Sequence, residues 1–381
     1  MKGVLMLVND FPPAPVGGAE RQAERLSIYL AQRGVPVSVI TRMFSDLKKT
    51  EYRDGYTIFR IPQFGPNKLR KVFFTLGALF MIVRKRNLFD ILHAHLAFSS
   101  AVSAALAGKL LGKKVIVKFG TGGASSEVHQ SENSFRGRLK LAILKRWVDL
   151  YIAMTDEMEN ELLAAGFAKE RILRMTNGID ASIFVPPPDK ELAKSDVSMS
   201  GKTIILFTGR LVAVKGVHVL LNAFRQITSI FPNVHLMLVG NGEERVALEK
   251  SARDLNIDQY VTFVGDVSDV KPYLRAAEIF VLPSFGEGIS NSLLEAMSAG
   301  LACIATRVGG SSDLLLNGQH GILISPNNID QLAEALKTLV QNNEMRKKFG
   351  NDARQFVLSQ FDFSSVGARY LALYNQLALG K

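Results

Sequence analysis

Short apolar runs alternate with helix-length amphipathic segments along nearly the whole chain. Strands are predicted at 3–8 (GVLMLV), 35–40 (VPVSVI), 57–61 (TIFRI), 90–95 (DILHAH), 115–119 (VIVKF) and 150–154 (LYIAM). A polar, Pro-rich stretch without periodicity, PPPDKELAKSDVSMSG at 186–201, interrupts this order. The alternation then restarts at 203–209 (TIILFTG), 234–240 (VHLMLVG), 261–265 (VTFVG), 279–283 (IFVLP), 301–306 (LACIAT) and 321–324 (GILI). Strands that are apolar at successive positions and separated by helices belong in parallel sheets covered on both faces. The pattern therefore predicts an α/β chain of two doubly wound domains, 1–185 and 202–360, with 186–201 as linker and an amphipathic helix in 361–381. Open parallel sheets bind ligands beyond the carboxyl ends of their strands, so two such domains facing across a cleft would hold a ligand between them.

Length agrees with two domains, since 381 residues exceed what one core usually holds. The single cysteine, Cys303, rules out a disulfide within the chain and fits a reducing compartment, hence a cytoplasmic location. The N-terminus reads as a buried strand, not as a signal peptide. The longest apolar run, FFTLGALFMIV at 73–83, is too short to cross a bilayer, which takes about 20 residues. Charge is distributed unevenly. Residues 1–190 hold 28 Lys and Arg against 17 Asp and Glu, and the remainder balances, so the whole net charge of +11 lies in the first half. Between 60 and 118 eleven basic residues meet one acid, Asp90. One half is thus built to meet something anionic.

Three segments carry candidate chemistry. After the first strand, Gly17 and Gly18 open a helix, where free N–H groups and the positive dipole end suit a phosphate. After the strand at 203–209, Arg210 and Lys215 place two cations beside a sheet's carboxyl end, as a diphosphate requires. In SFGEGISNSLLEAMSAG at 284–300, Ser290 caps a helix and leaves the amides of Asn291, Ser292 and Leu293 for phosphate oxygens. Glu295, on that helix, can accept hydrogen bonds from a vicinal diol such as a ribose. Glu287, in the preceding loop, can accept from sugar hydroxyls. A helix dipole set beside two carboxylates points to a nucleotide sugar. No Asp-x-Asp occurs, so no metal bridging a diphosphate is implied, and no other cofactor is expected.

These motifs, with HAH at 93–95, NGID at 177–180, GRLVAVKG at 209–216, VGNGEER at 239–245 and TRVGG at 306–310, resemble the retaining glycosyltransferases of family 4, which have two Rossmann-like domains in the GT-B fold. The resemblance spans nearly the whole chain and centres on the Glu-x7-Glu arrangement. It implies that Arg210 and Lys215 bind the donor diphosphate, with Gly17, Gly18, Asn291, Ser292 and Leu293 near the phosphates. It further implies that Glu295 binds the ribose and Glu287 the donor sugar, that His95 lies beside the reacting sugar as the second catalytic-site residue, and that the helix in 361–381 returns to the first domain. The donor would be a nucleoside-diphosphate sugar, UDP-linked in preference to GDP-mannose, and the products polysaccharide, lipopolysaccharide or glycolipid. The loop KFGTGG at 118–123 lacks the Thr-x-His pattern common in the family, which bears on acceptor contacts.

The acceptor side offers KLRKVFFTLGALFMIVRKR at 68–86, an apolar run between basic clusters. It fits either a helix covering a sheet or a helix lying on an anionic bilayer, the latter matching a sugar or lipid-linked acceptor and a peripheral membrane location. A dinucleotide oxidoreductase is excluded by the missing Gly-x-Gly-x-x-Gly after the first strand. A nucleic-acid binder is disfavoured because the basic charge carries no interleaved aromatics. A nucleotide-sugar epimerase, another GT-B enzyme, or a non-catalytic sugar-nucleotide-binding relative stays open as an alternative.

Overall fold

The computed structural model describes every residue except 15, 16, 45, 65, 123–125 and 381, and the side chains of all described residues except 67–69 and 71. The chain divides into two lobes, one of Met1–Gly178 with Ser364–Lys381, the other of Ile179–Phe363.

Lobe 1 is built on β1 (Val4–Leu7), β2 (Val37–Arg42), β3 (Thr50–Arg53), β4 (Tyr56–Ile61), β5 (Ile91–His95), β6 (Lys114–Lys118), β7 (Leu150–Ala153) and β8 (Ile172–Arg174). They lie in the order β3-β4-β2-β1-β5-β6-β7-β8. All neighbours are parallel except the β3–β4 hairpin. That hairpin turns at Asp54-Gly55, both at positive φ (50° and 84°), the geometry of a two-residue turn that matches strand twist. Strands β3 and β8 are additions to the pattern read from hydrophobicity. β3 alternates exposed and half-buried residues and β8 is only three residues long, so neither carries a continuous apolar run.

Lobe 2 holds β9 (Thr203–Thr208), β10 (Val234–Val239), β11 (Val261–Gly265), β12 (Ile279–Leu282), β13 (Ala302–Thr306) and β14 (Gly321–Ile324). Their order is β11-β10-β9-β12-β13-β14, all parallel. The helix Val217–Thr228 lays Leu220, Leu221, Phe224 and Ile227 on Ile205, Phe207 and Leu236. Burying one such side chain contributes about 1.5–3 kcal/mol, so this contact anchors the helix to the sheet.

The lobe boundaries differ from those expected at 185 and 360. Residues 179–185 belong to lobe 2, because Ile179 bridges Phe361 and Phe363 by backbone hydrogen bonds of 2.8 Å each. The Phe184 carbonyl also accepts from Ser298 Oγ (3.0 Å) and Arg354 (2.8 Å). The expected linker is not one: it contains a helix, Lys190–Ser195, capped by Asp189. Lys190 donates to the Ala277 carbonyl at 2.6 Å, and Lys194 pairs with Glu278 at 2.7 Å. Two cations tied to lobe 2 outweigh a composition that reads as irregular.

The last helix, Phe363–Ala378, buries Val366, Gly367, Tyr370 and Tyr374, a stripe at helical spacing, in lobe 1. A Cβ on Gly367 would stand 2.7 Å from the Tyr29 ring, so glycine lets the helix seat against Tyr29, whose hydroxyl donates to the Ser364 carbonyl at 3.1 Å.

Gly240, after β10, has φ +129°, and a Cβ there would lie 2.0 Å from the Gly209 carbonyl oxygen. Gly240→Ala should destabilise the protein by about 2–3 kcal/mol in chemical denaturation. Gly318→Ala, at φ +77° with nothing within 4 Å, should cost only about 1 kcal/mol. Equal losses at the two sites would contradict the close approach.

Candidate functional site

Each sheet has one point at which the winding direction reverses. In lobe 2 the chain steps outward from β9 to β10 and β11, then crosses back to β12 on the other side of β9. Loops leaving β9 and β12 therefore diverge and open a crevice at the sheet's carboxyl end, the usual ligand position in such sheets. In lobe 1 the reversal falls between β1 and β5. Arg210, Lys215, Glu287, Asn291, Ser292, Leu293 and Glu295 all follow β9 or β12, while Gly17, Gly18 and His95 stand at or beyond the ends of β1 and β5.

Arg210 is exposed, and among the described residues no carboxylate pairs with its side chain. Lys215 ends a short 3-10 turn, Ala213–Lys215, and its ammonium meets Glu287 Oε1 at 2.6 Å. Ser284 Oγ donates to the same oxygen at 2.6 Å. The turn is tied to the second loop again by the Phe285 N–H, which donates to the Val214 carbonyl at 2.7 Å. Gly216 follows at φ +64°, where a Cβ would stand 2.2 Å from the Pro283 carbonyl oxygen. Only glycine lets the two loops touch here. Glu287 is buried, and these partners offset the hydration its carboxyl group loses.

The helix Asn291–Ser298 is capped by Ser290, as its sequence predicts. The cap changes one expectation. Ser290 Oγ accepts from the Leu293 N–H at 3.4 Å, so that amide serves the cap and is not left for a ligand. The reason is general: an N-cap side chain reaches the second or third amide of its helix. The first intrahelical bond runs from Leu294 to the Ser290 carbonyl, and Asn291 and Ser292 stand at the helix's positive end. Glu295 is half-buried on the second turn.

In lobe 1, Gly17 is the N-cap of the helix Gly18–Ala31 and supplies no side-chain cap. Gln22 on this helix makes a two-way contact with Gly178, donating to its carbonyl at 2.7 Å and accepting from its amide at 3.1 Å. His95 is the last residue of β5 and is buried. His93 shares its face, with ring centroids 4.2 Å apart and planes at 33°. Leu96 then turns at φ +72°, a conformation that costs a branched residue about 1–2 kcal/mol and is held by its N–H bond to the Lys118 carbonyl (2.9 Å).

Sequence reasoning missed the partners of this pair. Lys118 lies opposite His95 in the β5–β6 register and donates to Asn177 Oδ1 at 2.7 Å. From the last helix, Tyr374 Oη lies 2.6 Å from His93 Nδ1, and Tyr370 stacks on His93 at 5.8 Å. Neither ring nitrogen of His95 has a partner among the described residues. Burial, with Lys118 adding to it, pushes the His93 imidazole down to about 3. Burial, then His93, then Lys118 hold His95 well below the usual imidazole range, and burial alone brings Lys118 down to about 7. The signal that was legible is the four-residue spacing of Tyr370 and Tyr374. Among the described residues no three His, Cys, Asp or Glu side chains gather as metal ligands, and no helix is long and apolar enough to cross a membrane.

These shifts fix a pH dependence. An unfolded imidazole titrates near 6.5 and the folded ones lower, so the unfolded chain takes up protons first on acidification. The stability due to neutral His93 is present above pH 6.5 and is lost as pH falls from 6.5 toward about 3, at up to about 1.4 kcal/mol per pH unit. Lys118 acts in the same sense between pH 10.5 and about 7. Urea midpoints measured from pH 7 to pH 5 should fall, and fall less steeply for His93→Phe. Parallel curves for the two proteins would refute the assignment.

Comparison with known proteins follows the same division of the chain. Residues 16–183 match the pattern of Glycosyltransferase Family 4, and residues 189–356 match Glycosyl transferases group 1. The chain is 25% identical over 368 residues to the N-acetyl-alpha-D-glucosaminyl L-malate synthase of Bacillus anthracis, covering 94% of each. It is 31% identical over 170 residues to the lipopolysaccharide core biosynthesis glycosyltransferase LpsE of Rhizobium meliloti, covering 45% of this chain and 49% of that one. The crystal structure of Anabaena HepE in complex with UDP-glucose superimposes with a TM-score of 0.83 at 18% identity, over 98% of this chain and 99% of that one, a likeness of fold. With both halves matched in order, the chain belongs to the GT-B glycosyltransferases of the group 1 and family 4 type.

Proposed function

We propose that the protein transfers a hexosyl group, with retention of anomeric configuration and without a metal, from a nucleoside-diphosphate sugar to an acceptor hydroxyl. The observation that carries this reading is the Lys215–Glu287–Ser284 junction at the β9/β12 reversal, with Arg210 exposed beyond β9. Arg210 and Lys215 hold the diphosphate, the start of the helix Asn291–Ser298 adds its dipole, and Glu295 accepts from the ribose. Glu287 accepts from the donor sugar while its Oε1 is shared with Lys215. In lobe 1, Gly17 and Gly18 approach the phosphates and His95 orients the reacting sugar. UDP is favoured as the carrier over GDP, in keeping with the UDP-glucose bound by HepE.

Charge decides the mechanism. As the bond between the anomeric carbon and the diphosphate breaks, negative charge grows on the departing phosphate. Fixed donors placed in advance contribute roughly 3–4 kcal/mol each in comparable sites. The acceptor hydroxyl attacks from the face the diphosphate leaves, and its proton passes to the departing phosphate oxygen. This order needs no protein nucleophile.

The acceptor belongs at a membrane surface, in cell-surface polysaccharide, lipopolysaccharide or glycolipid synthesis, with the enzyme cytoplasmic and peripheral. Support comes from the helix Asn67–Arg84, which is apolar on opposite sides. Phe74, Ala78 and Ile82 are buried against lobe 1, whereas Val72, Phe73, Leu76 and Phe80 are 53, 44, 59 and 64% exposed. Phe64, also exposed, sets its ring against Phe73 at 6.2 Å. Arg70, Arg84 and Arg86 are exposed near its ends, each worth about 1 kcal/mol near an anionic surface.

Two measurements test these readings. In a thermal-shift panel of UDP, GDP and ADP, the diphosphate carrying the donor's base should stabilise the protein by about 2.7 kcal/mol at a hundredfold its dissociation constant. No response to any of them would remove the donor assignment. The protein should also sediment with phosphatidylglycerol vesicles at low salt, and a Phe73→Ser, Phe80→Ser variant should stay in the supernatant. Equal behaviour of both proteins would dismiss the membrane seat.

A further inference from the structure

We propose that Tyr374, on the last helix, is a positioning residue for His95: it tethers His93, and the tethered ring of His93 fixes the plane of His95. This rests on the reading of His95 given above and adds the C-terminal helix to the machinery of the site.

The argument begins with what does not hold His95. Both ring nitrogens lack a partner among the described residues, although the side chain is buried. A buried imidazole normally has its tautomer and plane set by a hydrogen bond to one nitrogen. Here the plane is set by packing alone, and the nearest ring is His93, 4.2 Å away and inclined by 33°. The orientation of His95 is thus no better defined than that of His93. His93 is held on two sides by the last helix, through its Nδ1 and Tyr374 Oη at 2.6 Å and through the stacked ring of Tyr370 at 5.8 Å. Whether the phenol donates to Nδ1 or Nδ1–H donates to the phenol, the bond leaves His93 a single tautomer.

The surroundings make this tether the orienting element. The basic group beside the pair is Lys118, opposite His95 in the strand register and held by Asn177. Lys118 also lies 5.7 Å from the Tyr370 ring centroid. Burial first, and the neighbouring Lys118 after it, disfavour protonation of the two imidazoles, so the phenol bond is the polar contact that holds His93. The backbone is fixed as well, by the turn at Leu96, φ +72°, and its bond to the Lys118 carbonyl. With both nitrogens of His95 buried and uncommitted among the described residues and the ring held from behind, no protein hydrogen bond competes with a sugar hydroxyl for the imidazole. The contact spans 281 residues of sequence, which is why HAH at 93–95 could not reveal it.

The test compares the parent with Tyr374→Phe, His93→Phe and the double variant. Tyr374→Phe keeps the ring and removes the hydroxyl. In histidine-labelled protein, long-range proton–nitrogen correlation spectra, assigned with His95→Gln, should show one sharp set of neutral His95 signals in the parent. In Tyr374→Phe the same signals should broaden or double. With UDP-glucose as probe, release of UDP should slow about tenfold while the UDP dissociation constant stays within twofold of the parent. The double variant should be no slower than either single one. An unchanged His95 spectrum in Tyr374→Phe overturns the proposal, and so does an additive loss in the double variant or a parallel loss of UDP affinity. Should Tyr374→Phe fail to fold, His93→Phe and its His95 spectrum decide alone. The spectra need no substrate. If His95→Ala releases UDP as fast as the parent, the reading of His95 at the sugar fails; if His95→Ala is inactive and Tyr374→Phe is parent-like, only the tether fails.

Discussion

The reversal of strand order between β9 and β12 is the constraint on which the second lobe's chemistry depends. Two adjacent parallel strands whose following loops run in opposite directions cannot cover their own carboxyl ends, so a crevice remains. The lobe 2 residues assigned to the donor all follow β9 or β12. The Gly216 turn brings the loops within van der Waals contact, and the Lys215–Glu287 pair then joins them. The glycine comes first in this order of causes. Without the close approach, a lysine and a glutamate 72 residues apart would have no reason to meet.

That pair also accounts for a carboxylate buried at the proposed diphosphate site. Glu287 alone would repel a diphosphate and lose hydration with no return. Sharing Oε1 with an ammonium and a hydroxyl offsets the desolvation. Arg210, by contrast, remains exposed with its full charge uncommitted to a carboxylate. In the proposed site the two cations thus differ: Lys215 is shared between Glu287 and the diphosphate, whereas Arg210 has no carboxylate partner among the described residues. Lobe 1 holds the mirror case, His93, His95 and Lys118, a basic cluster with no acid paired to it among the described residues, in which burial disfavours charged imidazoles.

Much of this was legible in the chain. The two sheets follow from continuous apolar strands, and the Ser290 cap follows from a serine before a helical run. Failures have physical causes. β3 escaped because a half-exposed hairpin strand lacks an apolar run, although the Asp54-Gly55 turn announced it. The 186–201 stretch looked irregular because its helix is fastened by lysines and not by hydrophobic residues. Leu293 was miscounted as a phosphate ligand because a cap and a free third amide exclude each other. Local periodicity reports neighbours along the chain. The Tyr374–His93 and Gln22–Gly178 contacts join residues 281 and 156 apart and so lie beyond its reach.

The central claim is that cations and a helix end at the β9/β12 crevice grip a nucleoside diphosphate. Calorimetric titration of UDP and GDP into the parent and into Arg210→Ala tests it most directly. The account predicts that one of the two binds the parent and binds Arg210→Ala at least about tenfold more weakly, the effect of losing a charge-assisted hydrogen bond worth about 1.5–3 kcal/mol. Equal affinity in the two proteins, or no binding to the parent, would contradict it.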